Sequence, residues 1–235
     1  MHAALAMSYL ETYGLQGLFE SEPQQFNFAA WLAGIAQSAC GFSFPNQGYS
    51  AEPLIKITSS KTERLNSLAH ILGINKPRLT SIGKRNPNYR VLQIYGEKAV
   101  DLALLIKDFA PSRFRAINFF EQWKLASTRE EKLAVGIAYQ AAENSLHQDI
   151  PVAKYEELLW NRSLTTGILD IRSEETNGYL SVTTKNYSLL QAMTLQLGEY
   201  LAHKYEWRIE PPDLEEFWDY YKPHLHLQII NSSVV

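Results

Sequence analysis

With 235 residues, 46% of them hydrophobic and 12% aromatic, the chain can bury a sizeable core as one large domain or two small ones. A net charge of -3 does not advertise a nucleic-acid binder, although distribution matters more than the total. The single cysteine, Cys40, excludes an intramolecular disulfide and points to a reducing, intracellular setting, cytoplasmic or organellar. No run approaches the roughly 18 apolar residues of a membrane span, and the opening MHAALAM has no secretory pattern.

Residues 1–25 read as an N-terminal extension: a short amphipathic helix over 5–19, then a linker containing Pro23. The stretch 31–42, WLAGIAQSACGF, follows. Ala33, Gly34, Ala36, Ser38 and Ala39 are too small to keep a partner helix away, which allows close approach at a seam through Trp31, Ala33 and Gly34 despite the poor propensity of Gly34. An ordinary alanine-rich core helix is the other reading. Strands are expected over 41–49 and 53–59, where Ile55 and Ile57 face a core and Lys56 and Thr58 face outwards. Ser59 or Ser60 caps a helix carrying Leu65, Leu68, Ile71 and Leu72, which Gly73 ends. Two more strands fit 78–82 and 89–95, and helices fit 98–109 and 113–125.

Something like this order returns. Residues 54–73, LIKITSSKTERLNSLAHILG, lie without a gap on 179–198, YLSVTTKNYSLLQAMTLQLG. Only four of twenty positions are identical, but they span the same strand-to-helix transition. The halves are therefore set at 26–127 and 153–235, joined by a helical connector over 128–152 with Leu133, Ile137, Tyr139 and Ala141 for packing. Residues 155–166 are the expected mate of the Trp31 helix, with Leu159 and Ser163 on the seam. Gly167 then opens a strand through Ile168, Asp170 and Ile171. Strands over 203–209 and 224–230 flank the acidic, aromatic run 213–221, which suits a packed helix or a partner patch. The fold class is α/β (α+β): two pseudo-symmetric αββαββα halves with curved antiparallel sheets and eight strands in all.

The WLAG of Trp31 to Gly34, with Gly41 and Phe42 leading into a strand, resembles the LAGLIDADG homing-endonuclease family. The resemblance implies paired seam helices, a DNA-binding saddle of two sheets, and an acid at each helix end that holds a divalent metal. The acid positions here fall on Ala39 or Cys40, with the earlier one near Gln37, and on Thr165 or Thr166 in the second half. None is a carboxylate. Asp170 would serve only with a shifted helix boundary.

Charge is segregated. Residues 53–115 hold 12 of the 22 basic and 4 of the 25 acidic residues, leaving 10 and 21 elsewhere. The expected nucleic-acid contacts are Lys56 and Thr58, Arg78 and Thr80, Lys84 and Arg85 in the adjoining loop, and Gln93. A solvated sheet face is the plain alternative. The second half has mixed sign at Asp170, Arg172, Glu206, Arg208 and Glu210. His224 and His226 share a strand face without a third ligand, so no metal site is assigned. No nucleophile elbow or glycine-rich phosphate loop exists, and no catalytic residue is assigned. The reading is double-stranded DNA binding by a catalytically inactive scaffold that needs no cofactor. Structured RNA, a protein-interaction or assembly role, and a divergent metal-dependent endonuclease are the alternatives. Only the last would call for Mg²⁺.

Overall fold

The computed structural model describes residues 11–12, 22–45, 51–74, 77, 79–81, 89–146, 150–176, 179–197, 200–203, 205–209 and 213–221. Arg78, Lys84, Arg85, Glu210, most of the N-terminal arm and the strand expected at His224 and His226 lie outside the described residues.

Helix α1 (Glu22–Ala39) runs directly into β1 (Cys40–Ser43), shorter than the strand expected over 41–49. Strand β2 (Leu54–Ser59), helix α2 (Thr62–Ile71), and strands β3 (Leu79–Ser81) and β4 (Arg90–Tyr95) follow. Gly73, at φ 65, ends α2: its N–H reaches His70 O and the Ile74 N–H reaches Ala69 O, a left-handed cap that suits glycine. The start differs from expectation. Lys61 is the N-cap and makes no side-chain cap; Ser59 Oγ accepts from the Lys61 N–H at 3.2 Å and donates to Ile171 O, and Ser60 Oγ donates to Glu174. Helices α3 (Gly96–Leu105) and α4 (Phe114–Leu125) are joined through two 3-10 turns.

Helix α5 (Arg129–Leu146) opens with a capping box: Glu131 accepts from the Thr128 N–H, and Thr128 Oγ1 accepts from the Glu131 N–H. It lies over the β1 end of the first sheet. Tyr139 donates to Phe42 O at 2.6 Å and Gln140 to Phe44 O at 3.0 Å. That contact turns Ile137 and Ala141 outwards, contrary to the packing role expected of them.

The second half corrects the sequence reading at its centre. Residues 152–172 form two helices, α6 (Val152–Leu159) and α7 (Arg162–Arg172), and the run through Ile168, Asp170 and Ile171 is helical. Asn161 separates them. Its side chain accepts from the Ser163 N–H at 3.0 Å, starting a new helix where a continuous pattern suggested one. Strands β5 (Ser173–Thr176) and β6 (Tyr179–Thr183), helix α8 (Tyr187–Leu197), strands β7 (Tyr200–His203) and β8 (Glu206–Ile209), and helix α9 (Asp213–Tyr221) complete the described chain.

Both sheets are antiparallel and have equivalent strand orders, β1-β2-β4-β3 and β5-β6-β8-β7. Ile57 is flanked in register by Cys40 and Leu92; Val182 is flanked by Ser173 and Trp207. The sequence repeat therefore places its two copies at equivalent positions of two sheets. Alternate residues, Ile55, Ile57, Leu92 and Ile94 in one sheet and Leu180, Val182, Trp207 and Ile209 in the other, are buried. The 213–221 run is a packed helix: Leu214, Phe217 and Tyr221 are buried, and Phe217 meets Trp207 at 5.7 Å.

Candidate nucleic-acid interface

The seam between α1 and α7 rests on one glycine from each helix. A Cβ on Gly34 would lie 2.0 Å from the Leu164 carbonyl oxygen, and one on Gly167 would lie 1.9 Å from that of Trp31. Only hydrogen fits between backbones this close. Aligning Gly34 with Gly167 lays WLAGIAQSAC on LTTGILDIRS without a gap. Gln37 then matches Asp170, Ala39 matches Arg172, and Cys40 matches Ser173. The helix ends agree, since Ala39 and Arg172 are the last helical residues before β1 and β5. The position expected to fall on Thr165 or Thr166 is thus occupied by Arg172.

At these ends the two halves exchange hydrogen bonds. Thr184 Oγ1 donates to Ser38 O at 3.1 Å, and Ser59 Oγ donates to Ile171 O at 3.5 Å. Arginines reinforce the exchange. Arg172 donates from Nε to Ser38 O and from Nη2 to Thr58 Oγ1, both at 3.0 Å. Arg64, from α2, donates to Ser173 O at 2.7 Å and to Ser173 Oγ at 3.3 Å. Cations at helix C-termini oppose the negative end of each macrodipole. Burial lowers the pKa of both guanidiniums; Asp170 and Glu174 oppose the shift at Arg64, and Tyr89, Cys40 and Glu174 oppose it at Arg172.

The polar groups nearest the helix ends are engaged in packing. Asp170 is fully buried and accepts from Trp31 Nε1 at 2.8 Å. Gln37 donates to Phe109 O at 3.0 Å and accepts from the Ser112 hydroxyl and from Tyr155. Its amide oxygen is a packing group. Thr165 and Thr166 bond back to Leu159 O and Ser163 O. Among the described residues, no group of three or more His, Cys, Asp or Glu is placed to hold a metal ion.

Cys40 is a buried thiol whose pKa is pushed up to about 12 by burial, against the opposing fields of Arg113 and Arg172. A group protonated more tightly in the fold contributes stability that is complete below pH 9 and declines as pH rises towards about 12. Between neutral pH and about pH 10, Cys40→Ala should flatten the alkaline loss of stability by up to about 1.4 kcal/mol per pH unit. Urea midpoints across that range check it; identical pH slopes for both proteins would contradict it.

Above the seam, the outer face of the first sheet carries Lys56, exposed and in register with Gly41 and Gln93. Gln93 Nε2 donates to Thr80 Oγ1 at 3.4 Å, and Tyr95 donates to Gln93 Oε1 at 2.6 Å. Lys56, Thr80, Gln93 and Tyr95 therefore form one polar surface. Thr58 has the same strand parity but is half-buried, donating to Ala39 O at 3.2 Å beneath Arg172. Arg90 has the opposite parity, aligned with Leu92 and Ile94.

The basic excess of 53–115 is likewise no single face. Arg64 is inside the seam, Lys98 donates to Gly73 O, and Lys107 pairs with Glu121. On the second sheet, Arg208 occupies the register equivalent of Gln93. It pairs with Glu206 at 3.1 Å and lies 4.0 Å from the Tyr179 ring centre. Asp170 and Arg172, expected on this sheet, belong to α7.

Of the expected seam residues, Trp31, Ala33 and Gly34 are buried in α1. Leu159 is buried in α6, which packs against α8, and Ser163 stands in the first turn of α7. Gly167, Arg172 and Arg64 were missed as seam residues. The gap-free match of the two helices around Gly34 and Gly167 was the available signal for the first two.

No protein-family model matches the sequence, and no curated protein matches it. Solved structures do. The LAGLIDADG meganuclease I-AabMI bound to uncleaved DNA aligns at 14% identity over 87% of this chain and 89% of its own, with a TM-score of 0.50. The LAGLIDADG homing endonuclease I-LtrWI bound to target DNA aligns at 8% identity over 87% and 90%, with a TM-score of 0.48. No helix among the described residues is long and apolar enough to cross a membrane. Two equivalent four-stranded antiparallel sheets, joined through a glycine-to-glycine helix seam, give this chain a LAGLIDADG homing-endonuclease-like fold.

Proposed function

We propose that the chain is a catalytically silent, single-chain relative of the LAGLIDADG nucleases that binds double-stranded DNA across the outer faces of its sheets. The observation carrying this reading is the pair of seam-helix ends. Where the resemblance calls for metal-binding acids, the aligned residues are Ala39 and Arg172. Metal-assisted hydrolysis needs oxygen ligands that concentrate positive charge at the scissile phosphate. A methyl group and a guanidinium provide none. Asp170 is turned towards Trp31, and the Gln37 amide is bonded to surrounding packing groups. These contacts separate retention of the fold from retention of the chemistry.

Support for DNA comes from the surface bearing Lys56, Thr80, Gln93 and Tyr95. Lysine contributes phosphate attraction, while glutamine and threonine have the donors and acceptors used at base edges. The fold match is to a meganuclease bound to uncleaved DNA. Lys56→Glu should weaken duplex binding about tenfold at low salt, consistent with loss and reversal of an electrostatic contact. A filter-binding or fluorescence-anisotropy titration checks it. Equal affinity for wild type and variant would remove this face from the proposal, and Mg²⁺-dependent strand scission by wild type would remove its catalytic half.

The paired Arg208 and Glu206 favour a second reading, in which the second sheet receives a protein while the first contacts nucleic acid.

A further inference from the structure

We propose that Arg172 forms a metal-independent phosphate site at the mouth of the seam, seating one backbone phosphate of the bound duplex. This inference rests on the DNA-binding reading and adds a residue to its contact surface.

The guanidinium is preorganised. Nε and Nη2 are fixed by two neutral acceptors, Ser38 O and Thr58 Oγ1, from the first half, while the arginine itself belongs to the second. A guanidinium has five N–H donors in a planar fork. The Nη1 edge has no hydrogen-bond acceptor among the described residues. Thr58 shares its strand parity with exposed Lys56, so Arg172 meets the same outer face about 7 Å further along β2. Its half-buried position strengthens an ion pair relative to one in open water. The anchoring bonds also reduce the side-chain entropy lost when an anion arrives.

The surrounding acids leave room for that role. Asp170 points inward to Trp31 and acts electrostatically on Arg64. Tyr89, Cys40 and Glu174 act electrostatically on Arg172, and Glu174 is the carboxylate among them, with Oε1 held by Ser60 Oγ at 2.6 Å. In the resulting site, Arg172 contacts phosphate, Lys56 extends the positive surface, and Glu174 limits affinity. The planar fork suits bidentate phosphate recognition, which a lysine point charge does not reproduce.

The test uses the full chain and a duplex selected by wild type from a randomised pool. Salt dependence is measured in EDTA, with thermal melting of every variant alongside. Arg172→Met should weaken binding about tenfold and make the logarithmic salt slope shallower by about 0.9, the value for one phosphate contact. Arg172→Lys should retain the slope and recover part of the affinity. Glu174→Gln should tighten binding about threefold, with the gain absent when combined with R172M.

A folded R172M protein with wild-type affinity and slope overturns the site. If R172M does not fold, E174Q decides: tighter binding supports the site, and unchanged binding overturns it. Wild type that binds no duplex at low salt instead defeats the DNA-binding reading itself.

Discussion

Gly34→Ala and Gly167→Ala are each expected to lower the melting temperature by roughly 6–12 °C, the shift for about 3 kcal/mol in a chain of this size. In both cases the new methyl meets a carbonyl oxygen on the facing helix, at 2.0 Å from Leu164 O or 1.9 Å from Trp31 O. A flexible side chain could turn aside, but these are backbone atoms. The helices must separate, thereby loosening the surrounding core and the crossed caps from Ser59 and Thr184. Alanine has the better intrinsic helix propensity by about 1 kcal/mol, so a loss of stability isolates the close approach. Gly41→Ala is the control. A Cβ there meets nothing within 4 Å, and its melting temperature should change little. Thermal denaturation by circular dichroism distinguishes the three variants; seam variants as stable as G41A would contradict the described packing.

Asp170→Ala should be the next most damaging change, costing about 3 kcal/mol. It removes a buried carboxylate from Trp31 Nε1 and from the electrostatic environment of Arg64, itself only 6% exposed. The loss arises chiefly because an indole N–H and a buried cation are deprived of their compensating group. Asp170→Asn retains an acceptor for the indole and should recover part of the loss. Urea denaturation gives the comparison. If D170A proves harmless to folding yet abolishes a metal-dependent activity, Asp170 is a ligand after all.

The first half was readable because its chemistry is local. Small residues from Ala33 to Ala39 mark a close helix contact, alternation at Ile55 and Ile57 marks a half-buried strand, and Gly73 marks a helix stop. The repeat located β6 and α8 from β2 and α2 even with few identities. The second seam helix was obscured because LTTGILDIR lacks the small-residue bias of α1. Its Ile168, Leu169 and Ile171 fit a strand pattern as readily as a helix, with Gly167 as an opening. The protein instead keeps one glycine at the crossing and satisfies the neighbouring threonines through helix carbonyls.

The arginines were still less legible. Arg64 lies in a basic segment and Arg172 at an expected strand position, yet both bind helix ends across the seam. Each binds a backbone carbonyl, Ser38 O or Ser173 O, and a hydroxyl, Thr58 or Ser173, so these bonds hold no complementary charge for sequence inspection to find. Charge counting therefore overestimated the surface: several cations of the basic segment are committed inside the fold or to acidic partners.

The most direct measurement is selection from a randomised duplex-DNA pool at low salt, with a folded-RNA pool alongside and Mg²⁺ either supplied or chelated. The expected result is enrichment of duplex DNA that weakens steeply with salt, proceeds equally in EDTA, and returns full-length strands. Failure to enrich duplex DNA, or Mg²⁺-dependent shortening of the selected strands, would contradict a recognition scaffold without nuclease chemistry.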